Sequence, residues 1–379
     1  MLTAPTPSFD LSSALVVAVE ISRPTWVIAA HVPGLGHVKV RRRIEARAEA
    51  LLLAIEQLKR RAATGIDHVI VTYEAGYTGF WLARLVRRHA IEVYVIQPVS
   101  VPVDRRRRRA KTDAIDADLL LRTCLAFLRG EPRVCSMVPI PDQKDEDARH
   151  LVREREDLIA ERIGLTNRIG AILATLGVEE FDPLRRDRRV RVAEVRTALG
   201  EPIPENAKAR ILRLIERLEL VLDQIRTVES QRDALAVAAS AGAPETMTKR
   251  LTGLRGVGVQ TATVLVREGF VRHFRSAKAL GSYAGLVGTP FASGGFSHEQ
   301  GITKSGNRRL RTAVVELAWL WLRYQPGSAL SRWFAERLGQ TGGRMRKVLI
   351  VALARKLLVA LWRLATQGLV PEGSALKPV

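Results

Sequence analysis

The sequence is poor in cysteine, and its histidines are few and dispersed. Cys124 and Cys135 are the only two cysteines in 379 residues, too few for a disulfide framework, and their spacing matches no zinc site. The seven histidines are scattered along the chain and form no ligand cluster. The composition therefore favours neither a disulfide-rich secreted protein nor a metal site built from cysteine and histidine.

The chain also lacks an apolar run that could cross a bilayer. Its most apolar segment, 348–364, is interrupted by Arg355, Lys356 and Arg363, whereas a transmembrane helix needs about 20 apolar residues. The first ten residues, MLTAPTPSFD, lack the basic segment and apolar core of a signal peptide. We therefore expect a cytoplasmic protein without a membrane partner.

Acidic residues are outnumbered, and this imbalance is the most informative number in the composition. Sixty Lys and Arg face 39 Asp and Glu, which gives a formal net charge of +21. Such a surplus repels itself in a compact state unless a polyanion neutralises it. Nucleic acid is the first candidate partner, and an anionic membrane surface is the second. Hydrophobic residues make up 47% of the chain, so we expect folded cores, in two or three domains at this length.

The first part of the chain, residues 1–135, alternates short apolar strands with helices. The predicted strands are 14–19, 25–32, 37–44, 68–73 and 92–96, and the predicted helices are 46–63, 79–89 and one that starts near Thr112. Short links between the first three strands imply antiparallel neighbours. The order β-β-β-α-β-α-β-α is typical of the RNase H/RuvC-like fold. We therefore predict an α/β domain of this type over residues 1–135.

The second part, residues 145–240, is predicted to be helical. Apolar residues recur every seven positions over 151–172 and at an alternating three-four spacing over 211–228. These patterns are typical of a coiled-coil seam, and the link between them, 181–206, contains three prolines and is expected to be a hinge or loop. We predict a coiled-coil connector, as an antiparallel hairpin or an oligomerisation arm. An ordinary helical bundle within one chain is the alternative.

The third part, residues 246–370, is predicted to be mainly helical. Its segment LTGLRGVGVQTATVLV, 251–266, has the pattern of a helix-hairpin-helix, with a Gly-Val-Gly turn before a helix. Gly256 and Gly258 would let backbone N–H groups approach a phosphate at a helix N-terminus, although a plain helical turn also favours glycine. The whole chain is thus expected to combine an α/β domain with all-α parts.

Four carboxylates occur where an RNase H/RuvC-like fold holds its metal ions. Glu20 follows the first predicted strand, Glu74 follows the fourth, and Asp113 and Asp116 share a face of the last helix. Four converging acids would repel one another unless divalent cations neutralised them, and oxygen ligands suit Mg²⁺ or Mn²⁺. Two such ions about 4 Å apart can bridge a scissile phosphate. We therefore predict that these four residues bind metal and are catalytic, although each acid alone is typical of a solvated surface.

A run of basic residues lies immediately before the acidic pair. The run consists of Arg105, Arg106, Arg107, Arg108, Arg109 and, after one alanine, Lys111. A charge run can simply be solvated, but beside a phosphodiester site it would hold the nucleic-acid backbone. Such binding would carry little sequence information and would weaken steeply with salt.

These motifs together carry a resemblance to a known family. The chain resembles insertion-sequence transposases of the DEDD type, the bridge-RNA-guided serine recombinases, in the segments TYEAGYTGFWL, RRRRRAKTDAIDADLLLR, LRGVGVQTATVL, SYAGLVGTPFASGG and ITKSGNRRLR. The match spans nearly the whole chain. It implies a RuvC-like N-terminal domain, a coiled-coil connector and a C-terminal transposase domain. It also implies an enzyme of the bacterial cytoplasm or nucleoid that excises and inserts its own mobile element.

The resemblance further implies partners and a nucleophile. A non-coding bridge RNA would act as the guide by pairing with target and donor DNA. The family's nucleophilic serine falls on Ser293 in FASGG, with Ser297 and Ser305 as alternatives, and would form a phosphoserine intermediate after activation by a metal or base. Its composite site, with serine and acids from different protomers, implies a homo-oligomer, expected to be a dimer of dimers. The later motif adds the expected nucleic-acid contacts Lys304, Asn307, Arg308 and Arg309.

One position departs from the family pattern. Most relatives have Asp in G-I-D-x-S-K where this chain has Glu20 in A-V-E-I-S-R. Glutamate keeps the charge but reaches one methylene farther, which can shift metal geometry. Two other interpretations stay open: a metal-dependent nuclease of the Holliday-junction-resolvase kind that uses activated water, and a nucleic-acid-binding scaffold with a decayed active site.

Overall fold

The chain divides into two compact units, residues 1–142 and 143–379. The structure, a computed structural model, describes residues 10–35, 40–76, 78–102, 112–131, 133–238, 243–293, 296–341 and 343–378, and within these ranges it describes only the backbone at 99, 236–238, 243, 290–293, 296–300 and 341. The finer division into 1–135, 145–240 and 246–370 stays a prediction.

A five-stranded mixed sheet forms the centre of the first unit. Its strands are β1 (Ala14–Glu20), β2 (Thr25–His31), β3 (Val40–Glu45), β4 (His68–Glu74) and β5 (Glu92–Ile96). Their order across the sheet is β3-β2-β1-β4-β5, and β1 pairs antiparallel with β2 and parallel with β4. The central strand β1 is buried along its whole length except at Glu20, which explains its unbroken apolar run.

The described residues of this unit also form three α-helices: α1 (Ala48–Lys59), α2 (Trp81–Arg88) and α3 (Asp113–Leu128). The predicted order of strands and helices is confirmed in the described residues, and the unit is an RNase H-like domain. The differences lie at element ends. The described part of the third strand begins at Val40, and residues 36–39 lie outside the described ranges. Strands β1 and β4 each extend one residue farther than predicted, so that they end on Glu20 and Glu74.

Alternate residues of β1 face two different cores. Leu15, Val17 and Val19 pack with buried residues of α1 and α2, whereas the intervening residues pack against α3, which also contacts β2 and β4. The predicted N-cap of α3 is confirmed, since the Thr112 hydroxyl accepts a hydrogen bond from the Ile115 N–H at 3.3 Å. The cap and the buried face together fix the start of α3 against the sheet.

The second unit is mainly helical, as predicted. Its helices are α4 (Gln143–Asp147), α5 (His150–Ala174), α6 (Arg188–Glu194), α7 (Glu205–Ala238), α8 (Ala243–Thr252), α9 (Val259–Leu265), α10 (Ala277–Tyr283), α11 (Arg308–Tyr324), α12 (Ala329–Thr341) and α13 (Arg346–Gln367), and a π-helical turn spans Val266–Phe270. A hairpin of β6 (Gly288–Ser293) and β7 (Phe296–Ile302), which the sequence analysis missed, interrupts them. Across the described ranges, every helix is too short or too polar to span a bilayer.

The heptad residues of α5 are buried against α7. Leu158 and Leu165 lie in one cluster with Leu218 and other buried residues of α7. Arg155 near the start of α5 donates from Nε to Glu229 Oε1 at 2.6 Å, so this end of α5 lies beside the later part of α7 and the helices run antiparallel. The link expected to be a hinge or loop contains α6, whose Val192 packs into the same cluster.

Truncating the seam is expected to destabilise the second unit. Leu218→Ala removes a fully buried side chain and should lower the free energy of unfolding by about 2–5 kcal/mol, because the cavity cannot refill completely. Leu220→Ala, on the same helix but 59% exposed, is the matched control and should change it by less than about 0.5 kcal/mol. Denaturant unfolding followed by circular dichroism measures the free energy of unfolding of both variants. Equal losses in the two variants would contradict the packing of α5 against α7 through Leu218.

Candidate active site

The parallel pairing of β1 and β4 brings two carboxylates to the same edge of the sheet. Val19 pairs with Tyr73, so the next residue on each strand, Glu20 and Glu74, continues the register. Neighbouring strands lie about 4.8 Å apart, which makes the two positions adjacent. Val19 and Tyr73 are fully buried, whereas Glu20 is half-buried and Glu74 is exposed. The acids therefore stand where a buried sheet meets solvent.

A cleft of about 260 Å³ opens at this edge. Glu20, Glu74 and Asp116 line it together, and Leu119 and Leu120 of α3 form part of its apolar wall. The structure thus brings together three of the four predicted acids, from two strands and one helix.

The fourth acid, Asp113, lies one turn earlier on α3 and is not among the residues that line the cleft. Its Oδ2 accepts a hydrogen bond from Ser22 Oγ at 3.3 Å, and this hydroxyl also lies within hydrogen-bonding distance of the Thr25 carbonyl oxygen. Ser22 stands two residues beyond β1 and was not predicted as a functional residue. It ties the first turn of α3 to the strand that ends on Glu20.

The donor chemistry of the cleft suits a hard divalent cation. Carboxylate oxygens are the ligands that Mg²⁺ and Mn²⁺ prefer, and Asp113 and Asp116 both lie in the first turn of α3, at the positive end of the helix dipole. Among the described residues, however, no three His, Cys, Asp or Glu side chains form a ready-made metal-binding group. The observed feature is a shared acidic cleft.

Three other sets of residues bear on the chemistry. Asp118, two residues beyond Asp116, is engaged away from the cleft, because Arg41 of β3 donates to it from Nε at 2.7 Å. Burial raises the pKa of the Cys124 thiol to about 12 and that of Cys135 to about 11, so neither is a thiolate nucleophile at neutral pH. The basic run of Arg105, Arg106, Arg107, Arg108, Arg109 and Lys111 lies outside the described residues.

Ser293 is the last residue of β6, in the second unit. It pairs with Phe296 across the hairpin, and residues 294–295, between these two in the sequence, lie outside the described residues. Ser297 pairs with Ala292 one step back from the tip. Ser305 is exposed and lies in the loop between β7 and α11. The three candidate serines therefore occupy a hairpin end, a strand and a loop.

Comparisons with known proteins identify the family. The chain is 46% identical over 375 residues to "Putative transposase y4rJ" of Sinorhizobium fredii, which covers 96% of this chain and 95% of that protein. A DEDD transposase model of the IS110 type matches residues 29–177, and the model described as "Transposase IS116/IS110/IS902 family" matches residues 248–333. The chain belongs to the IS116/IS110/IS902 transposase family.

More distant relatives agree with this assignment. The transposase for insertion sequence element IS1328 of Yersinia enterocolitica is 29% identical over 79% of this chain and 85% of its own length. The transposase for insertion sequence element IS1111A of Coxiella burnetii is 25% identical over 73% of this chain and 72% of its own length. The resemblance drawn from the motifs is therefore confirmed: the protein is a transposase, an enzyme that acts on DNA.

The side chain of Asn307 in this transposase, which was predicted to contact nucleic acid, is hydrogen-bonded inside the protein. Its Oδ1 accepts from the Leu310 N–H at 3.0 Å and caps α11, while its Nδ2 donates to Glu268 Oε2 at 2.9 Å and to the Tyr283 hydroxyl at 3.1 Å. Gly306 before it has φ +116°, and a Cβ there would lie 2.3 Å from the Tyr283 carbonyl oxygen. The Gly-Asn pair thus has a structural role, and nucleic-acid contact by Asn307 stays a prediction.

The other predicted contacts of this segment differ in their surroundings. Lys304 and Arg308 are exposed, whereas Arg309 donates to Glu156 of α5 at 2.5 Å. In the turn between α8 and α9, Gly256 has φ +81°, and a Cβ there would lie 2.7 Å from Tyr324 Cβ. Gly258 caps α9 with no heavy atom within 4 Å of where a Cβ would stand. Close packing therefore explains Gly256, and only Gly258 leaves room for a ligand.

Sequence reasoning missed Glu268, an acid that is only 3% exposed. Arg153 of α5 donates to its Oε1 at 3.0 Å. Burial alone would raise the pKa of the Glu268 carboxyl, but hydrogen bonds from Arg153 and Asn307, together with the charges of Arg153 and Arg149, hold it below its ordinary value. Glu268 therefore stays ionised and links α5 to the start of α11.

Removing this ion pair is expected to destabilise the transposase in a pH-dependent way. Because the folded-state pKa of Glu268 is depressed, its contribution is present above the ordinary value of 4.5 and is lost as the pH falls through the folded-state value. Arg153→Ala should lower the free energy of unfolding by about 2 kcal/mol at pH 7. The deficit should shrink towards pH 4, since a buried, unpaired Glu268 takes up a proton.

The matched control is Arg226→Ala, which breaks an exposed pair with Asp223 on α7. Exposed pairs contribute about 0–1 kcal/mol, so this variant should stay near wild type at both pH values. Urea unfolding at pH 7 and pH 4 gives the free energy of unfolding of the wild type, Arg153→Ala and Arg226→Ala. A deficit for Arg153→Ala that is the same at both pH values would refute the role of Glu268 ionisation.

Proposed function

We propose that this transposase is a bridge-RNA-guided DNA recombinase that excises and inserts its own mobile element through a phosphoserine intermediate. The observation that carries the proposal is the cleft at the sheet edge, where Glu20, Glu74 and Asp116 meet from three elements of an RNase H-like domain. A cleft with this donor set is suited to phosphodiester chemistry at a divalent cation.

The four predicted acids of the first unit would together form one metal site. Glu20, Glu74 and Asp116 would hold Mg²⁺ or Mn²⁺ within the cleft, and Asp113 would complete the site from the preceding turn. When bound, the cation supplies charge neutralisation for the phosphate and its leaving oxygen. Ser22 keeps Asp113 against the end of β1 through its hydrogen bond, which limits how far the first turn of α3 can move from the cleft.

Ser293 is the proposed nucleophile. Its hydroxyl gives up a proton as the Oγ–P bond forms and one P–O bond to the neighbouring deoxyribose breaks, and the proton is passed to the departing oxygen. The phosphoserine keeps a phosphate ester in place of the one broken, so a second DNA end can attack it and rejoin the strand without another energy source. The position of Ser293 at the end of β6, next to the hairpin tip, supports this role.

The remaining features concern nucleic acid and assembly. The net charge of +21 and the exposed Lys304 and Arg308 support backbone binding to DNA and to the bridge RNA. The α8–α9 pair would act as a helix-hairpin-helix through the open N-terminus at Gly258. The α5–α7 pair would serve as the coiled-coil connector of a dimer of dimers, in which serine and acids come from different protomers.

A second candidate function is a metal-dependent nuclease that uses water. It is favoured by one observation: among the described residues that line the acidic cleft, none is a serine. This alternative predicts DNA cleavage without a covalent protein–DNA adduct, and the serine variants below separate the two.

Ser293→Ala is expected to abolish strand exchange and the covalent adduct while binding to DNA and RNA survives. The substrate carries both junctions of the element, with RNA transcribed from its non-coding end, and a denaturing gel detects adduct and recombinant strands. Ser297→Ala and Ser305→Ala are the matched controls and should retain both products. Recombination at the wild-type level by Ser293→Ala would overturn the nucleophile, and cleavage without adduct would favour the nuclease.

Asp116→Asn is expected to lower strand exchange about a thousandfold, because losing a metal-binding carboxylate costs several kcal/mol of transition-state stabilisation. Calorimetric titration with Mg²⁺ should show weaker binding for the same variant. Asp118→Asn is the control, since this acid lies on the same helix but pairs with Arg41. Unchanged Mg²⁺ binding in Asp116→Asn would contradict the metal site and favour a nucleic-acid scaffold.

A further inference from the structure

A groove of about 1130 Å³ crosses the second unit, and its described lining includes none of the residues assigned to catalysis. One wall is a face of α13, and the other is formed by α10, the base of the β6–β7 hairpin and the start of α12. The apolar part of the described lining includes Leu286, Ile302, Leu330, Val348, Val351 and Val359. Of the described residues that line it, only Lys304 also has a role in the function proposed above.

The face of α13 in this groove is only partly covered by the described residues of the second unit. The opposite face packs into the core through Ile350, Leu353 and Leu357, whereas Val348 on the groove side is 56% exposed. A helix that is apolar on both faces is normally covered on both. The groove side follows α13 from Lys347 to Arg363, a length of about 24 Å at 1.5 Å per residue.

The charge of the groove has one sign. Six cations line it: Lys278, Lys304, Lys347, Arg355, Lys356 and Arg363. The described residues that line the groove include no Asp or Glu. An occupant must therefore carry negative charge on its flanks as well as apolar surface in its centre.

These two properties favour a protein helix over nucleic acid. Single strands of DNA or RNA are held by cations together with aromatic rings on which the bases stack, and the described lining includes no aromatic residue. A duplex is held through its phosphates, and these would leave the apolar floor of the groove without a partner. Aliphatic side chains at positions 348, 351, 352 and 359 of α13 instead present the three- and four-residue spacing that accepts the ridge of another helix. A second copy of this chain carries the same surplus of +21, so charge complementarity favours a different protein.

We infer that this groove is a docking site for an acidic amphipathic helix of a partner protein. The partner helix would place apolar residues at i, i+3, i+4 and i+7 over α13 and direct Asp or Glu side chains to the lysines and arginines of the rim. Its contact would extend over four to five turns, as the length of the α13 face requires. This interaction is independent of the recombination chemistry.

The probe is a synthetic 18-residue helix with leucines on one face and glutamates on its flanks, labelled for fluorescence anisotropy with the full-length protein. Two matched peptides replace either the leucines by serine or the glutamates by lysine. The acidic amphipathic peptide should bind at least about tenfold more tightly than both, because it alone matches the apolar floor and the cationic rim.

Variants locate the binding. The variant Val348→Glu and the double variant Lys347→Glu/Arg363→Glu should each lower the affinity for the acidic peptide at least about tenfold. Leu220→Glu, at a comparably exposed leucine on α7, should leave it unchanged. Thermal unfolding shows whether each variant folds, and the charge-reversal pair, which leaves the floor intact, provides the second test.

Three outcomes would overturn the inference. The acidic peptide could bind no better than its serine counterpart, which would indicate a general electrostatic effect. It could bind Val348→Glu as well as wild type, which would place the site elsewhere. Finally, an 18-nucleotide single strand could compete for the groove and lose affinity in Val348→Glu, which would make it a nucleic-acid site.

Discussion

The parallel pairing of β1 with β4 is the constraint on which the candidate site depends. Both strands are buried in the sheet, so a slip of one residue would turn every side chain to the wrong face, and the register is therefore strongly fixed. Because the two strands run in the same direction, their last residues, Glu20 and Glu74, must lie side by side at one edge. Helix α3 packs across β1, β2 and β4, and this packing places Asp116 of its first turn in the same cleft as Glu20 and Glu74.

The features that sequence could predict are those encoded in local periodicity and in the ends of elements. The unbroken apolar run of β1 and the mostly apolar run of β4 mark strands that are buried in the sheet, and an acid that ends such a run must lie at a sheet edge. The Thr112 cap is equally local, since its hydroxyl bonds to the backbone three residues on. The strand order, three of the four acids in one cleft and the start of α3 were accessible for this reason.

The features that sequence could not predict depend on partners far away in the chain. Glu268 reads as one more charged helical residue, yet it is buried because Arg153, 115 residues earlier, and Asn307, 39 residues later, donate to it. Asn307 likewise reads as a polar residue in a glycine-containing loop, although its amide is engaged on both sides. Such contacts leave no periodic signal. The β6–β7 hairpin was missed because its short strands mix polar and small residues without the alternation of a half-buried sheet.

The excess of cations in the composition is distributed unevenly over the second unit. Many arginines of the second unit are engaged in internal ion pairs, such as Arg153 with Glu268, Arg189 with Glu219 and Arg267 with Glu245. In these pairs each cation faces an acid from another part of the unit. The groove along α13 is different, because its described lining has six cations and no acid. A surplus of +21 is therefore not spread evenly, and the positions where cations gather without acids are the surfaces at which an anionic partner gains most by binding.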